Sequence, residues 1–312
     1  MATETAEHAA PAPIPLSAYG HLLTIYLVWG GGYLAVKVAL SGPAALTVFQ
    51  LQSARMWCAT LLLAGLAAFR HGWPGRPAPR DLLVCAASGL LMWVAGNGLA
   101  TLASRHAASS FIVMAMGAIP LWSCVLDLLI ERAIPGPRLV FGLVLGLFGL
   151  FLVVAPALFN SATAIIEPGF AEFTVLVLIG AGTSWSLGTI VQRPLAGRMK
   201  SEWAATFQML AASLALTVLV TGEAAPLPEM PGLRQWLAIG FLIVFASVIG
   251  LTSYLRVLRV FSPVIATTFA YVNPIVGVLA GWAILGEEPA PLSLVGLVIV
   301  LASIAIVLSR RR

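Results

Sequence analysis

Of the chain's 312 residues, 60% are hydrophobic and 9% are charged, and the formal net charge is +5. Soluble domains carry about 25% charged residues, and a protein this apolar has too few polar groups to cover its surface. That excludes a water-soluble fold, because lipid is the solvent that accepts such a chain.

Residues 1–15 hold Glu4 and Glu7 but no Lys or Arg. They lack the positive start of a signal peptide and read as a short disordered cytoplasmic tail. Ten stretches then follow that can cross a hydrocarbon core of ~30 Å, which takes about 20 apolar residues. They are Leu16–Val38, Ala44–Phe69, Leu82–Ala103, Ala107–Ile130, Leu139–Leu158, Ala171–Gln192, Glu202–Val220, Gln235–Leu255, Pro263–Leu285 and Pro291–Leu308. Turn chemistry or charge separates them, as at Ser41-Gly42-Pro43, Arg105-His106 and Gly222 to Arg234. No interval is long enough to fold alone.

Lys and Arg set the orientation, since they collect on the cytoplasmic side. With the N-terminus inside, that side holds Arg70, Arg76, Arg80, Arg132, Arg138, Arg193, Arg198, Lys200, Arg256, Arg259 and Arg310 to Arg312. The other side holds Arg105 and Arg234. The asymmetry places both termini in the cytoplasm of a bacterial inner-membrane protein. It also makes the positive charge a topology signal and poor evidence for nucleic-acid binding.

The two halves of the chain resemble each other. A shift of 154 residues aligns Arg80 with Arg234, Gly96 with Gly250, Pro120 with Pro274 and Gly142 with Gly296. A shift of 156 aligns Trp29 with Trp185 and Gly32 with Gly188, while Phe49-Gln50-Leu51 matches Phe207-Gln208-Met209. The predicted fold is all-α: ten transmembrane helices in two repeats of five, residues 16–158 and 171–308. Because five is odd, the second repeat enters the membrane from the opposite face. Inverted repeats are characteristic of transporters that bind substrate at the midplane between the halves.

Trp29-Gly30-Gly31-Gly32-Tyr33, the mid-span Arg55, Gly96-Asn97-Gly98, Ser184-Trp185, Ser262-Pro263, Tyr271-Val272-Asn273-Pro274 and Gly286-Glu287 together resemble the EamA family of the drug/metabolite transporter superfamily. Within it the chain is most similar to the PecM/YedA-like group. The resemblance runs from about His21 to Leu308. It implies a bundle of two EamA repeats around a central cavity, exporting metabolites, amino acids or toxic compounds. Ser104, where the family often carries Glu, and Asp127 depart from the family pattern.

Polar groups at bilayer depth are costly and serve as functional candidates by default. Arg55 has two readings: attraction of a substrate carboxylate or phosphate, or a guanidinium tied to helix carbonyls at a bundle contact. Lys37 reads as snorkelling to the interface. Asn97 sits between glycines, and Asn273 precedes a proline whose missing N–H frees a carbonyl that Asn273 can satisfy. Trp29, Tyr33, Trp185, Tyr254 and Tyr271 are candidates for an aromatic-lined cavity, with Pro120 and Pro274 as paired hinges. Trp73, Trp203 and Trp236 read as interfacial belt residues. The fifth and tenth spans are apolar on nearly every face and are expected to turn towards lipid. Gly142 and Gly146 form a pair that packs within the chain or against a second protomer in a homodimer.

No carboxylate lies at mid-span. Glu131 and Glu287 are boundary residues, and Asp127, one turn deeper, is expected to pair with Arg132 or Arg138. Cys58, Cys85 and Cys124 give no disulfide framework, and His8, His21, His71 and His106 have no metal-ligand spacing. With no P-loop or nucleophile elbow, neither a cofactor nor an enzymatic reaction is expected. A membrane enzyme using scattered loop residues is the remote alternative. The expected partners are a small-molecule substrate, neutral, zwitterionic or anionic, and the lipid bilayer.

Overall fold

A computed structural model of the chain describes residues 14–41, 46–103, 105–107, 112, 115–159, 166–223, 230–285 and 290–308. The side chains of Tyr33 and Lys37, together with Ser104, Glu287 and Arg310 to Arg312, lie outside what it describes. The described residues group into ten helical rods. The first five are α1 (Leu16–Ala39), α2 (Val48–His71), α3 (Pro79–Ala103), α4 (Ile119–Glu131) and α5 (Pro137–Phe159). The second five are α6 (Ala171–Val191), α7 (Ser201–Glu223), α8 (Leu233–Val257), α9 (Phe269–Leu285) and α10 (Pro291–Leu308). Among the described residues, α2, α3, α7, α8, α10 and the segment Ala171–Gly197 are each long and apolar enough to cross a membrane. Large apolar side chains such as Leu61, Phe141, Leu176 and Val298 are exposed around the outside of the bundle, as lipid contact requires.

Two expected spans differ in form. The fourth is interrupted by a turn at 117–118, with helical residues before it at 112, 115 and 116 and α4 after it. Pro120 therefore lies in the first turn of α4, where its missing N–H costs nothing. The ninth is broken at Thr267 and Thr268, which separate a single turn (Pro263–Ala266) from α9. The Thr267 and Thr268 hydroxyls donate back to the carbonyls of Pro263 (2.9 Å) and Ile265 (2.6 Å), occupying backbone acceptors at the break. Pro274 lies inside α9.

The helices pack across the repeat boundary in reciprocal pairs: α1 on α8 and α9, α6 on α3 and α4, α2 on α7, and α5 on α10. The last pair is close because small residues meet. Gly142, Gly146 and Gly149 face Val307, Ser303 and Val300, and a Cβ on Gly296 would sit 2.6 Å from the Gly149 carbonyl oxygen. The glycine stripe on α5 thus packs within the chain, and the outer faces of both helices, with Phe141, Val144, Val295 and Val298, remain exposed.

Both α3 and α8 change character midway. Leu90–Gly98 and Leu242–Ile249 are wound as π-helix, a rare geometry that widens the helix and is concentrated at functional sites. The two segments correspond under the 154-residue shift to within three residues. Beside them, each half seats its tryptophan against the other half's glycine. A Cβ on Gly250 would collide with the Trp29 indole nitrogen, and one on Gly96 would lie 3.2 Å from Cε3 of Trp185.

Candidate functional site

A cavity of about 550 Å³ lies between the repeats. The π segments form two of its walls, contributing Trp93 and Asn97 from α3, and Leu242 and Ala246 from α8. Its depth is aromatic. Trp29 donates from Nε1 to the Ala246 carbonyl at 2.8 Å, which fixes the indole against α8. Its ring meets Trp185 edge-on at 5.5 Å and Phe269 at 4.5 Å. Trp93 lies 5.5 Å from Trp185. Such edge-to-face contacts each contribute about 0.5–1.5 kcal/mol beyond area burial, so the cluster is a rigid floor.

Arg55 is 4% exposed and lies on the cavity wall. Its Nε donates to the Ser247 hydroxyl at 2.8 Å and its Nη1 to Gln52 Oε1 at 3.4 Å, while its guanidinium carbon sits 5.5 Å from the centre of the Trp93 ring. Among the described residues its acceptors at this α2–α8 contact are side chains and not helix carbonyls, and no carboxylate partners it. The 154-residue shift puts Trp93 and Ser247 at equivalent places in the two π segments, so both halves hold this one guanidinium. Gln52 also donates to Asn97 Oδ1 and, at 3.3 Å, to Thr101. Among the described residues, three buried polar atoms of wall residues have no hydrogen-bond partner: Trp93 Nε1, Trp185 Nε1 and Asn273 Oδ1.

Of the residues singled out from sequence, Trp29, Arg55, Asn97, Trp185 and Asn273 meet on this wall. Tyr254 and Tyr271 are not on it. The Tyr254 hydroxyl shares a hydrogen bond of 2.7 Å with Thr189, and its ring backs Trp29 at 5.2 Å, forming a second layer. Tyr271 donates to the Leu143 carbonyl at 2.9 Å and so joins α9 to α5. Asn273 is buried in α9 on this wall, one residue before Pro274. Trp93, Gln52 and Phe269 escaped the sequence reading, although Trp93 stands one turn before Asn97.

Opposite conditions hold at the two ends of the bundle. Around Leu40, Thr47 and Arg105 the cavity reaches the surface, with Arg105 half-exposed and loosely paired with Glu223 at 3.6 Å. At the other end Glu202, 3% exposed, accepts from Arg256, from Arg70 at 3.4 Å and from His71 at 3.2 Å. His21 lies 3.4 Å from Arg256 and 3.2 Å from Ser253. These contacts join α1, α2, α7 and α8. Asp127 pairs with Arg193 at 2.6 Å, in place of the expected Arg132 or Arg138 partnership, and Arg193 also reaches Glu131 at 3.3 Å. Asp81 meets Arg198 at 3.3 Å, and Arg259 donates to the Met199 carbonyl at 2.5 Å. Trp203, expected at the lipid interface, is buried there with its ring 6.0 Å from that of exposed Trp73.

The signature of the EamA-like transporter family matches this chain twice, over residues 16–155 and 172–309. The chain belongs to the EamA-like transporter family. It is thus a multi-pass membrane transporter of the EamA type, in the drug/metabolite transporter superfamily. Among its EamA relatives, the uncharacterized inner membrane transporter YedA of Escherichia coli K12 is 30% identical over 301 residues, covering 94% of this chain and 90% of YedA. The uncharacterized transporter YvbV of Bacillus subtilis 168 is 27% identical over 174 residues, covering 54% of this chain and 52% of YvbV. A protein of known crystal structure, 18% identical, superposes with a TM-score of 0.75 over 95% of this chain and 97% of its own. That likeness shows a shared fold.

Proposed function

We propose that this transporter exports a small metabolite across the bacterial inner membrane by alternating access. Its ten helices would all cross the bilayer as two inverted repeats, with both termini cytoplasmic. The observation that carries the reading is a cavity between the repeats that is reachable at the Arg105 end and sealed at the Glu202 end. The sealed end bears Arg70, Arg193, Arg198, Arg256 and Arg259, and basic residues collect on the cytoplasmic side. The conformation described is then the outward-open one, with the Glu202 cluster as the inner closure. Trp29, Arg55, Asn97, Trp185 and Asn273 would contact the cargo.

Purified protein in sealed vesicles tests this against a panel of metabolites, amino acids and drugs. Flux of at least one compound, abolished by detergent, supports transport, and the compound moved separates metabolite export from an amino-acid or broad drug exporter. Chemical turnover in detergent would instead point to an enzyme. Labelling cysteines placed at Arg76 and Arg198 from each side tests the inversion, which requires both loops on one surface.

A further inference from the structure

The cavity holds a charge that no carboxylate neutralises among the described residues. Arg55 has five N–H donors. Two go to the neutral groups of Ser247 and Gln52, and a third contact is the face of Trp93. The acidic groups that could compensate it are engaged elsewhere: Asp127 and Glu131 with Arg193, Glu202 with Arg256, and Glu223 with Arg105 at the mouth. An isolated buried charge is expensive, and an anionic ligand removes that cost by completing the pair. The neighbouring Trp93 Nε1 is a second donor without a partner, and across the cavity Asn273 Oδ1 is a buried acceptor without one.

We infer that the cargo is an organic monocarboxylate. Resting on the transport reading, the assignment gives each group a task. The guanidinium fork of Arg55 binds the carboxylate, in the paired N–H···O geometry that arginine favours. Trp93 Nε1 donates to the same anion or to an oxygen beside it, and Asn273 Oδ1 accepts from a hydroxyl or amine on the far side of the cargo. The edge-on indoles of Trp29 and Trp185 contact an apolar body. One uncompensated cation neutralises one negative charge. A phosphate monoester carries about −1.5 to −2 at neutral pH and would leave excess charge in an apolar chamber. The mouth does not make this choice, because Arg105 already has Glu223 within 3.6 Å.

The test uses four probes with one ring and different charge: benzoate, benzamide, benzylamine and phenyl phosphate. Their affinities for the purified full-length protein in detergent are read from quenching of indole fluorescence, which Trp29, Trp93 and Trp185 report from the cavity wall. The expected order places benzoate first, by about tenfold or more over each of the others, as one charge-assisted bidentate pair provides. Arg55→Gln removes that advantage, so that benzoate binds no better than benzamide, and Arg55→Lys, which keeps the charge without the fork, retains part of it. Equal binding of benzoate and benzamide by the unmodified protein overturns the inference, as does tightest binding of phenyl phosphate. So does an Arg55→Gln protein that still prefers benzoate. Binding in detergent needs no flux. Arg55-dependent benzoate binding without vesicle flux of any carboxylate would uphold the anion site and defeat the transport reading. Vesicle flux of a neutral solute with no benzoate preference would do the reverse.

Discussion

Replacing Glu202 by Gln tests whether the ionic cluster holds the inner end shut. The carboxylate is buried and accepts from Arg256, Arg70 and His71. A hydrogen bond to a charged group contributes about 1.5–3 kcal/mol, whereas the half-exposed Arg70 adds less than about 1 kcal/mol. Because glutamine keeps one acceptor, the net loss is roughly 2 kcal/mol, and at 1.4 kcal/mol per tenfold this shifts the closure equilibrium about 30-fold. Ser253, 4% exposed beside His21, is a reporter on the sealed side, and Thr101, 8% exposed, is one on the cavity side. In a background lacking Cys58, Cys85 and Cys124, a cysteine at Ser253 should react with a charged thiol reagent about 30-fold faster when Glu202→Gln is present. A cysteine at Thr101 should react more slowly, as the proposed alternating access requires. An unchanged rate at Ser253 refutes the closure role. Faster reaction at both sites refutes it too, since that is the signature of a loosened fold.

Gly250→Ala forces a methyl into the Trp29 indole and breaks its bond to Ala246, so a loss of about 1–3 kcal/mol is expected from overpacking. Gly96→Ala, whose Cβ would have 3.1–3.3 Å to its neighbours, should cost less, and thermal unfolding in detergent ranks the two. Gly296→Ala should likewise lower the midpoint, because its Cβ would meet the α5 backbone at 2.6 Å, whereas Gly20→Ala, with nothing within 4 Å, should leave it unchanged. Asp127→Asn leaves Arg193 paired with Glu131, away from the cavity wall. Flux measured across a pH gradient should therefore keep its gradient dependence, and loss of that dependence would assign Asp127 to proton coupling.

Much of this arrangement is legible in composition and spacing, because lipid imposes a single rule on every span. Apolar run lengths give helices whose ends fall within a few residues of those observed, as at Leu16, Ala103, Ala171 and Leu308. The repeat spacing also anticipates that Trp29 and Trp185 come together. The π segments were not legible: Leu90–Gly98 and Leu242–Ile249 are plain apolar runs whose winding is decided by packing against the other repeat. Trp93 was missed for the same reason, since its direction depends on that winding. Tyr254 and Tyr271 illustrate the converse limit. Depth in the membrane can be counted along a helix, but which neighbour a ring faces cannot, and Tyr271 turns towards α5. The Glu202 cluster escaped because its members come from four helices and each looks, alone, like an ordinary boundary charge.

The guanidinium at the centre belongs to one half only. The correspondence of Phe49 with Phe207 places Ser213 where the second half would carry Arg55, and that serine bonds to its own helix at Met209. Under the proposed alternating access with antiparallel halves, perfect equivalence would make the two faces of the cycle degenerate, each the other's image and equal in energy. A lone cation would split that degeneracy and give the empty carrier a preferred resting side. Filling the chamber with a counter-ion removes part of the bias, so cargo would do more than ride the motion: it would rebalance the two endpoints.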